Sequence, residues 1–87
     1  MDIIQTADFK KALAKLPTEI QELYAIQADR FLSDWKDPRL HVKKVKDLGQ
    51  VFSFRITRRY RVFFYFQNPQ TAIFFAVDHR KDAYRKI

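Results

Sequence analysis

The stretch Phe54–Phe66, FRITRRYRVFFYF, decides the fold. Its thirteen positions hold four arginines, four phenylalanines and two tyrosines. Side chains alternate between the faces of a strand. Over 51–57, Phe52, Phe54 and Ile56 therefore share one face, and Ser53, Arg55 and Thr57 the other. Over 60–66, Tyr60, Val62, Phe64 and Phe66 alternate with Arg61, Phe63 and Tyr65. A two-residue turn at Arg58-Arg59 would set Arg61 beside Ile56 on the apolar face, and would need positive φ at both arginines. A three-residue turn over Thr57-Arg58-Arg59 instead pairs Phe54 with Val62, Phe52 with Phe64 and Arg55 with Arg61. Burying an unpaired arginine costs more than an imperfect turn, so the second register is the expected one.

Working outward, MDIIQT reads as a short strand centred on Ile3 and Ile4. Thr6 is placed to cap a helix over ADFKKALAKL, where Phe9, Ala12, Leu13 and Leu16 recur at helical spacing. Pro17 separates it from a second helix, about Thr18 to Ser33, with a T-x-x-Q capping box at Thr18 and Gln21. Ile20, Tyr24, Gln27 and Phe31 lie on its inner stripe. The connection 34–50 is polar and basic, with a short strand or turn near Val42 to Val45. Strands over about 60–67 and 71–78 are joined by a turn at Asn68-Pro69. The order is β-α-α-β-β-β: an α+β fold whose mainly antiparallel sheet carries a helical hairpin on one face. Straight alternation along the last strand puts Ile73, Phe75 and Val77 under the helices and Phe74, Ala76, Asp78 and Arg80 on the open face.

At 87 residues the chain is one domain, 1–87, with 47% apolar and 16% aromatic residues to build its core. It has no cysteine, which removes disulfides and thiolate metal sites. No apolar run approaches the about 20 residues of a membrane span, so a soluble, cytoplasmic protein is expected. The net charge of +7 is uneven. Residues 1–50 hold nine Lys/Arg against eight Asp/Glu, whereas 51–87 hold eight against two. Such asymmetry is the electrostatic footprint of a polyanion partner.

On the open face, Arg55, Arg61 and Arg80 would meet beside Phe63, Phe74 and Tyr65. Guanidinium groups match phosphate oxygens, and aromatics beside them suit stacked, unpaired bases. The competing reading makes these aromatics a second small core under the 34–50 connection. Lys43, Lys44 and Lys46, with Arg58 and Arg59, read either as contacts to an RNA backbone or as a solvated loop and turn. His41 reads as a solvated loop residue. The acids do not cluster at metal-ligand spacing, so no metal or cofactor is expected.

The helix pair opening with ALAKLPTEI, then FSFRITRRYRVFFYF, then VDHRKDAYR resembles the RelE/ParE superfamily of type II toxin–antitoxin toxins along nearly the whole chain. Its most specific pieces are Arg55 followed by Tyr60-Arg61, and His79-Arg80 followed by Tyr84. The resemblance implies a RelE-like endoribonuclease that cuts mRNA on the ribosome without a metal and is silenced by a cognate antitoxin. It leaves open a ParE-like toxin that poisons DNA gyrase, and an inactive nucleic-acid-binding relative. Within the nuclease reading, Arg61 matches the arginine at the scissile phosphate, with Arg55 and Arg80 flanking. Tyr84 approximates the C-terminal tyrosine that orients or activates the attacking group. His79 is the best placed titratable group, although alternation sends it to the Val77 side unless the strand ends at Asp78.

Overall fold

The computed structural model describes residues 1–79. Its elements are β1 (Asp2–Gln5), α1 (Ala7–Ala14), α2 (Thr18–Ser33), a 3₁₀ turn (Pro38–Leu40), β2 (Lys43–Lys44), β3 (Phe52–Arg55), β4 (Tyr60–Asn68) and β5 (Thr71–His79). One sheet has the strand order β1-β5-β4-β3-β2. Every pairing is antiparallel except that of β1 with β5, which is parallel. The expected α+β arrangement is the observed one.

Thr6 caps α1 by accepting a hydrogen bond from the Phe9 N–H at 3.1 Å. The capping box at the start of α2 does not form. Pro17 takes the cap position without a side-chain bond, because proline already sets a helical entry and lacks the N–H. Gln21 instead turns back, its Nε2 donating to the carbonyls of Leu16 at 2.9 Å and Ala14 at 3.3 Å. Ala14 is the last residue of α1 and Leu16 lies in the link to α2, so Gln21 closes the helical hairpin rather than its own helix.

The β3–β4 hairpin has the three-residue connection and the register expected: Phe52 faces Phe64, Phe54 faces Val62, and Arg55 faces Arg61. The Ile56 N–H donates to the Tyr60 carbonyl at 2.9 Å, and the Thr57 hydroxyl accepts from the Arg59 N–H at 3.2 Å. Neither Arg58 nor Arg59 takes a positive φ.

The last strand departs from simple alternation. Phe63 pairs with Ala76 and Phe64 with Phe74, so Phe75 is an extra residue in a β-bulge. The bulge reverses the parity of the first half of β5. Ala72 and Phe74 join Val77 beneath the helices, while Ile73 and Phe75 turn to the other face. The expectation for Ile73, Phe74 and Phe75 is therefore reversed, and that for Val77, Ala76 and Asp78 stands.

The main core joins Phe9, Tyr24 and Phe31 of the helices to Phe54, Val62, Phe64, Ala72, Phe74 and Val77 of the sheet. Burying one such phenylalanine stabilises the fold by about 1.5–3 kcal/mol. Tyr24 keeps its hydroxyl satisfied by donating to Gln5 Oε1 at 2.7 Å, and burial raises its pKa above the ordinary phenol range. Across the sheet a smaller core of Val45 and Phe63 is packed by Leu48, Val51, Phe75 and Ala76. The 45–51 segment thus covers the middle of the second face and leaves its β3–β5 end to the arginines.

Candidate nucleic-acid interface

Arg55, Arg61 and Asp78 lie side by side on β3, β4 and β5. The three-residue hairpin puts both arginines on the face away from the helices, and the bulge restores Asp78 to that face. Two guanidiniums in neighbouring positions repel by a few tenths of a kcal/mol to about one. The row sets two cations beside one carboxylate, Asp78 next to Arg61.

The two arginines differ in setting. Arg61 is 3% exposed. Its Nε donates to Ser53 Oγ at 3.0 Å and its Nη2 to the His41 carbonyl at 2.9 Å. Both of these acceptors are neutral and hold the guanidinium by its Nε and Nη2 side. Arg55 is half-buried, and its Nε is buried with no hydrogen-bond partner. A buried donor without an acceptor costs about 1–3 kcal/mol, more for a charged group. Arg55 is thus the more open member of the pair and the one that still requires an acceptor.

Gln27 organises the ground beneath them. Its Nε2 donates to the Arg55 carbonyl at 2.7 Å and to the Arg39 carbonyl at 3.0 Å, while its Oε1 accepts from Arg30 Nη1 at 2.9 Å. One amide on α2 therefore ties the end of β3 to the 3₁₀ turn. Gln27→Leu is expected to cost about 2–4 kcal/mol, since two inward carbonyls lose their donor; urea denaturation measures it. The turn itself is held by Asp37, which accepts from the Arg39 backbone N–H at 2.9 Å and pairs with its guanidinium at 2.7 Å. These Arg39 contacts hold the Asp37 carboxyl down to about 2.

The other candidates scatter. Arg58 and Arg59 are exposed at the hairpin tip, directly beyond the arginine pair. Lys43 lies opposite Ser53 and so shares the arginine face, whereas Lys44, opposite Phe52, points to the other; Lys46 is exposed in the following turn. Phe63 is fully buried in the second core and cannot stack on a base, which corrects its assignment as an RNA contact. Tyr65 is 40% exposed and touches Phe75 with ring centroids 5.7 Å apart. It stands four residues along β4 from Arg61, about 13 Å, with Phe63 between them. His79 pairs with Tyr60 on the Val77 face, its ring edge-on to Tyr60 at 5.4 Å, so β5 does not bring it onto the face of Arg61. Arg80 and Tyr84 lie outside the described residues.

A groove of about 510 Å³ between α1 and β5 is lined by Asp8, Lys11, Lys15, Phe63, Phe75 and Asp78 among others. Its two lysines are matched by two aspartates, so it is not a cationic channel. Among the described residues, Lys43, Arg55, Arg58 and Arg59 are cations on the second face and at the tip of the β3–β4 hairpin. Among the described residues no three His, Asp or Glu side chains gather to hold a metal ion, and no helix is long and apolar enough to cross a membrane.

Sequence reasoning missed Gln27, Ser53 and His41 as supports of the pair. A glutamine on the apolar stripe of α2 was the available signal for Gln27. Ser53 could be found from its position opposite Phe63, two pairs along from Arg55 and Arg61 and so on the same face. Nothing in the sequence marks the main-chain carbonyl of His41.

A small sheet with a helical hairpin on one face and an arginine pair on the other defines a toxin of the RelE/ParE superfamily of type II toxin–antitoxin systems. The family model described as the ParE toxin of the type II toxin–antitoxin system parDE matches residues 3–84, and the chain belongs to that family. It is similar to the structure of the RelB–RelE antitoxin–toxin complex of Methanococcus jannaschii, at 24% identity and TM-score 0.77 over 97% of this chain and 98% of that one. It is also similar to the RelBE2 complex of Mycobacterium tuberculosis, at 27% identity and TM-score 0.65 over 91% of this chain and 96% of that one. YafQ of E. coli shares the fold at 6% identity and TM-score 0.75, over 92% of this chain and 93% of that one. No curated protein matches the chain in sequence.

Proposed function

We propose that this toxin is a metal-independent endoribonuclease that cuts mRNA on the ribosome and is silenced by a cognate antitoxin laid over its basic face. The observation that carries the reading is the half-buried Arg55 paired across β3 and β4 with Arg61 on the face away from the helices. Arg55 is only half-buried, so its side chain is the cation of the pair that a phosphodiester can meet, with Arg61 as its cross-strand neighbour. Lys43, Arg58 and Arg59, exposed around the pair, guide the backbone towards it.

In the reaction the RNA 2′ oxygen loses its proton and bonds to phosphorus. The P–O5′ bond then breaks and the 5′ oxygen takes up a proton. Negative charge grows on the non-bridging oxygens, and preorganised guanidiniums stabilise it without rearranging. Proton transfer is assigned to the chain's end: His79 serves only if its ring leaves Tyr60, and Arg80 and Tyr84 retain the roles the resemblance gives them. The fragments should carry 2′,3′-cyclic phosphate and 5′-hydroxyl ends. Direct labelling of the downstream fragment by polynucleotide kinase, without prior phosphatase, tests this; 5′-phosphate ends would reject the chemistry.

A second reading, a toxin that holds DNA gyrase without cutting RNA, is favoured by one feature. Arg61 is almost wholly buried against internal acceptors, as a structural arginine would be. Under that reading induced cells accumulate gyrase–DNA complexes while their messages stay intact.

A further inference from the structure

His41 reaches Arg61 by its main chain. It ends the 3₁₀ turn with φ 49° and ψ 50°, a left-handed conformation. Among the described non-glycine residues only Asp47 shares a positive φ. Side chains rarely adopt this conformation, whereas glycine does so at no steric cost. At His41 it has a visible result. The N–H bonds back to the Pro38 carbonyl at 3.2 Å, and the carbonyl points to Nη2 of Arg61 at 2.9 Å.

The second contact of Arg61, from Nε to Ser53 Oγ, uses the same side of the guanidinium fork. Two acceptors on one side fix both the plane of the group and the direction of its far end. A carboxylate in either place would fix it equally well but neutralise it. A carbonyl and a hydroxyl orient it without adding a charge of their own.

We propose that His41 is a positioning residue for Arg61 in phosphate recognition, acting through its left-handed backbone and carbonyl rather than through its imidazole. The inference rests on reading the arginine pair as the RNA-contacting site. The turn that leads into the His41 carbonyl is held at Arg39 by Asp37 and by Gln27. Displacing it lets the guanidinium tilt. A misplacement of about 1 Å in such a site costs up to about 10²-fold in rate.

The experiment compares His41→Gly with His41→Val in two measurements: cleavage of message by purified toxin in reconstituted translation, and solvent exchange by NMR of the Arg61 Nη2 proton that the His41 carbonyl accepts. Glycine keeps the carbonyl and accepts positive φ, so His41→Gly should cleave within about 2-fold of wild type and keep the proton protected. Valine resists positive φ, so His41→Val should lose about 10-fold or more in cleavage and expose the proton, with the amides of Phe64 and Phe74 still protected. Should His41→Val fail to fold, His41→Ala replaces it, with a smaller change in the same direction. Loss of cleavage in His41→Gly with the proton still protected would make the imidazole the acting group and overturn the proposal. Wild-type protection in His41→Val would also overturn it. A wild-type toxin that cuts no RNA would remove the nuclease reading, while the exchange measurement would still decide whether His41 positions Arg61.

Discussion

Arg55→Ala is expected to lower RNA cleavage by about 10²–10³-fold, the loss found when one preorganised donor is removed from a comparable site. The same substitution should leave the melting free energy within about 1 kcal/mol of wild type. The two effects part because of the setting of the side chain. The Nε of Arg55 is buried without an acceptor, so the folded state gains no hydrogen bond from it and carries a desolvation cost. Truncation relieves that cost and the repulsion from Arg61, while loss of stem packing acts against it. The carbonyl that accepts from Gln27 is main chain and is unaffected. Arg61→Ala should behave differently. It strips inward acceptors at Ser53 and His41 and opens space in a site only 3% exposed, costing about 1–3 kcal/mol or more. Thermal denaturation beside a cleavage assay separates the two: one variant inactive and stable, the other inactive and weakened. If Arg55→Ala melts with Arg61→Ala, Arg55 is a structural residue.

The largest stability effect should come from Phe31→Ala, at about 3–5 kcal/mol. Phe31 is the point at which α2 is keyed into the sheet. Its ring lies 5.6 Å from Phe54, 5.0 Å from Phe64 and 5.1 Å from Phe74, one on each of β3, β4 and β5. Truncation removes three edge or tilted aromatic contacts at once and leaves a void that three rings on a rigid sheet cannot fill. A domain of this length has only about 4–13 kcal/mol of stability, so much of it would be lost. Urea denaturation gives the value from the shift in midpoint at constant slope. A cost under about 1 kcal/mol would mean that α2 does not depend on this ring for its place.

The same physics explains what could be read from the amino acids. The register of the β3–β4 hairpin was legible because the wrong one would put Arg61 among phenylalanines, a penalty of several kcal/mol that composition alone exposes. The helices were legible from the spacing of Phe9, Tyr24 and Phe31. The bulge at Phe75 was not. In TAIFFAVDH either phenylalanine suits the core, and the choice falls to packing against Phe9 and Tyr24, whose rings lie 5.8 and 6.4 Å from Phe74. The site was half legible. Alternation placed Arg55, Arg61 and Asp78 together, but it could not tell which arginine would be buried. That depends on the carbonyl of His41 and the hydroxyl of Ser53, which long-range folding brings to Arg61. Phe63 looked equally suited to a base or to a core, and the 45–51 segment that covers it carries only Val45, Leu48 and Val51 as apolar cues.

Reconstituted translation with purified wild-type toxin and Arg55→Ala, followed by primer extension on the message, tests the central claim most directly. Wild-type toxin should yield discrete new 5′ ends within the reading frame and halt synthesis, and Arg55→Ala should yield almost none at equal concentration. Intact message and normal peptide synthesis with the wild-type toxin, or identical cleavage by both proteins, would contradict it.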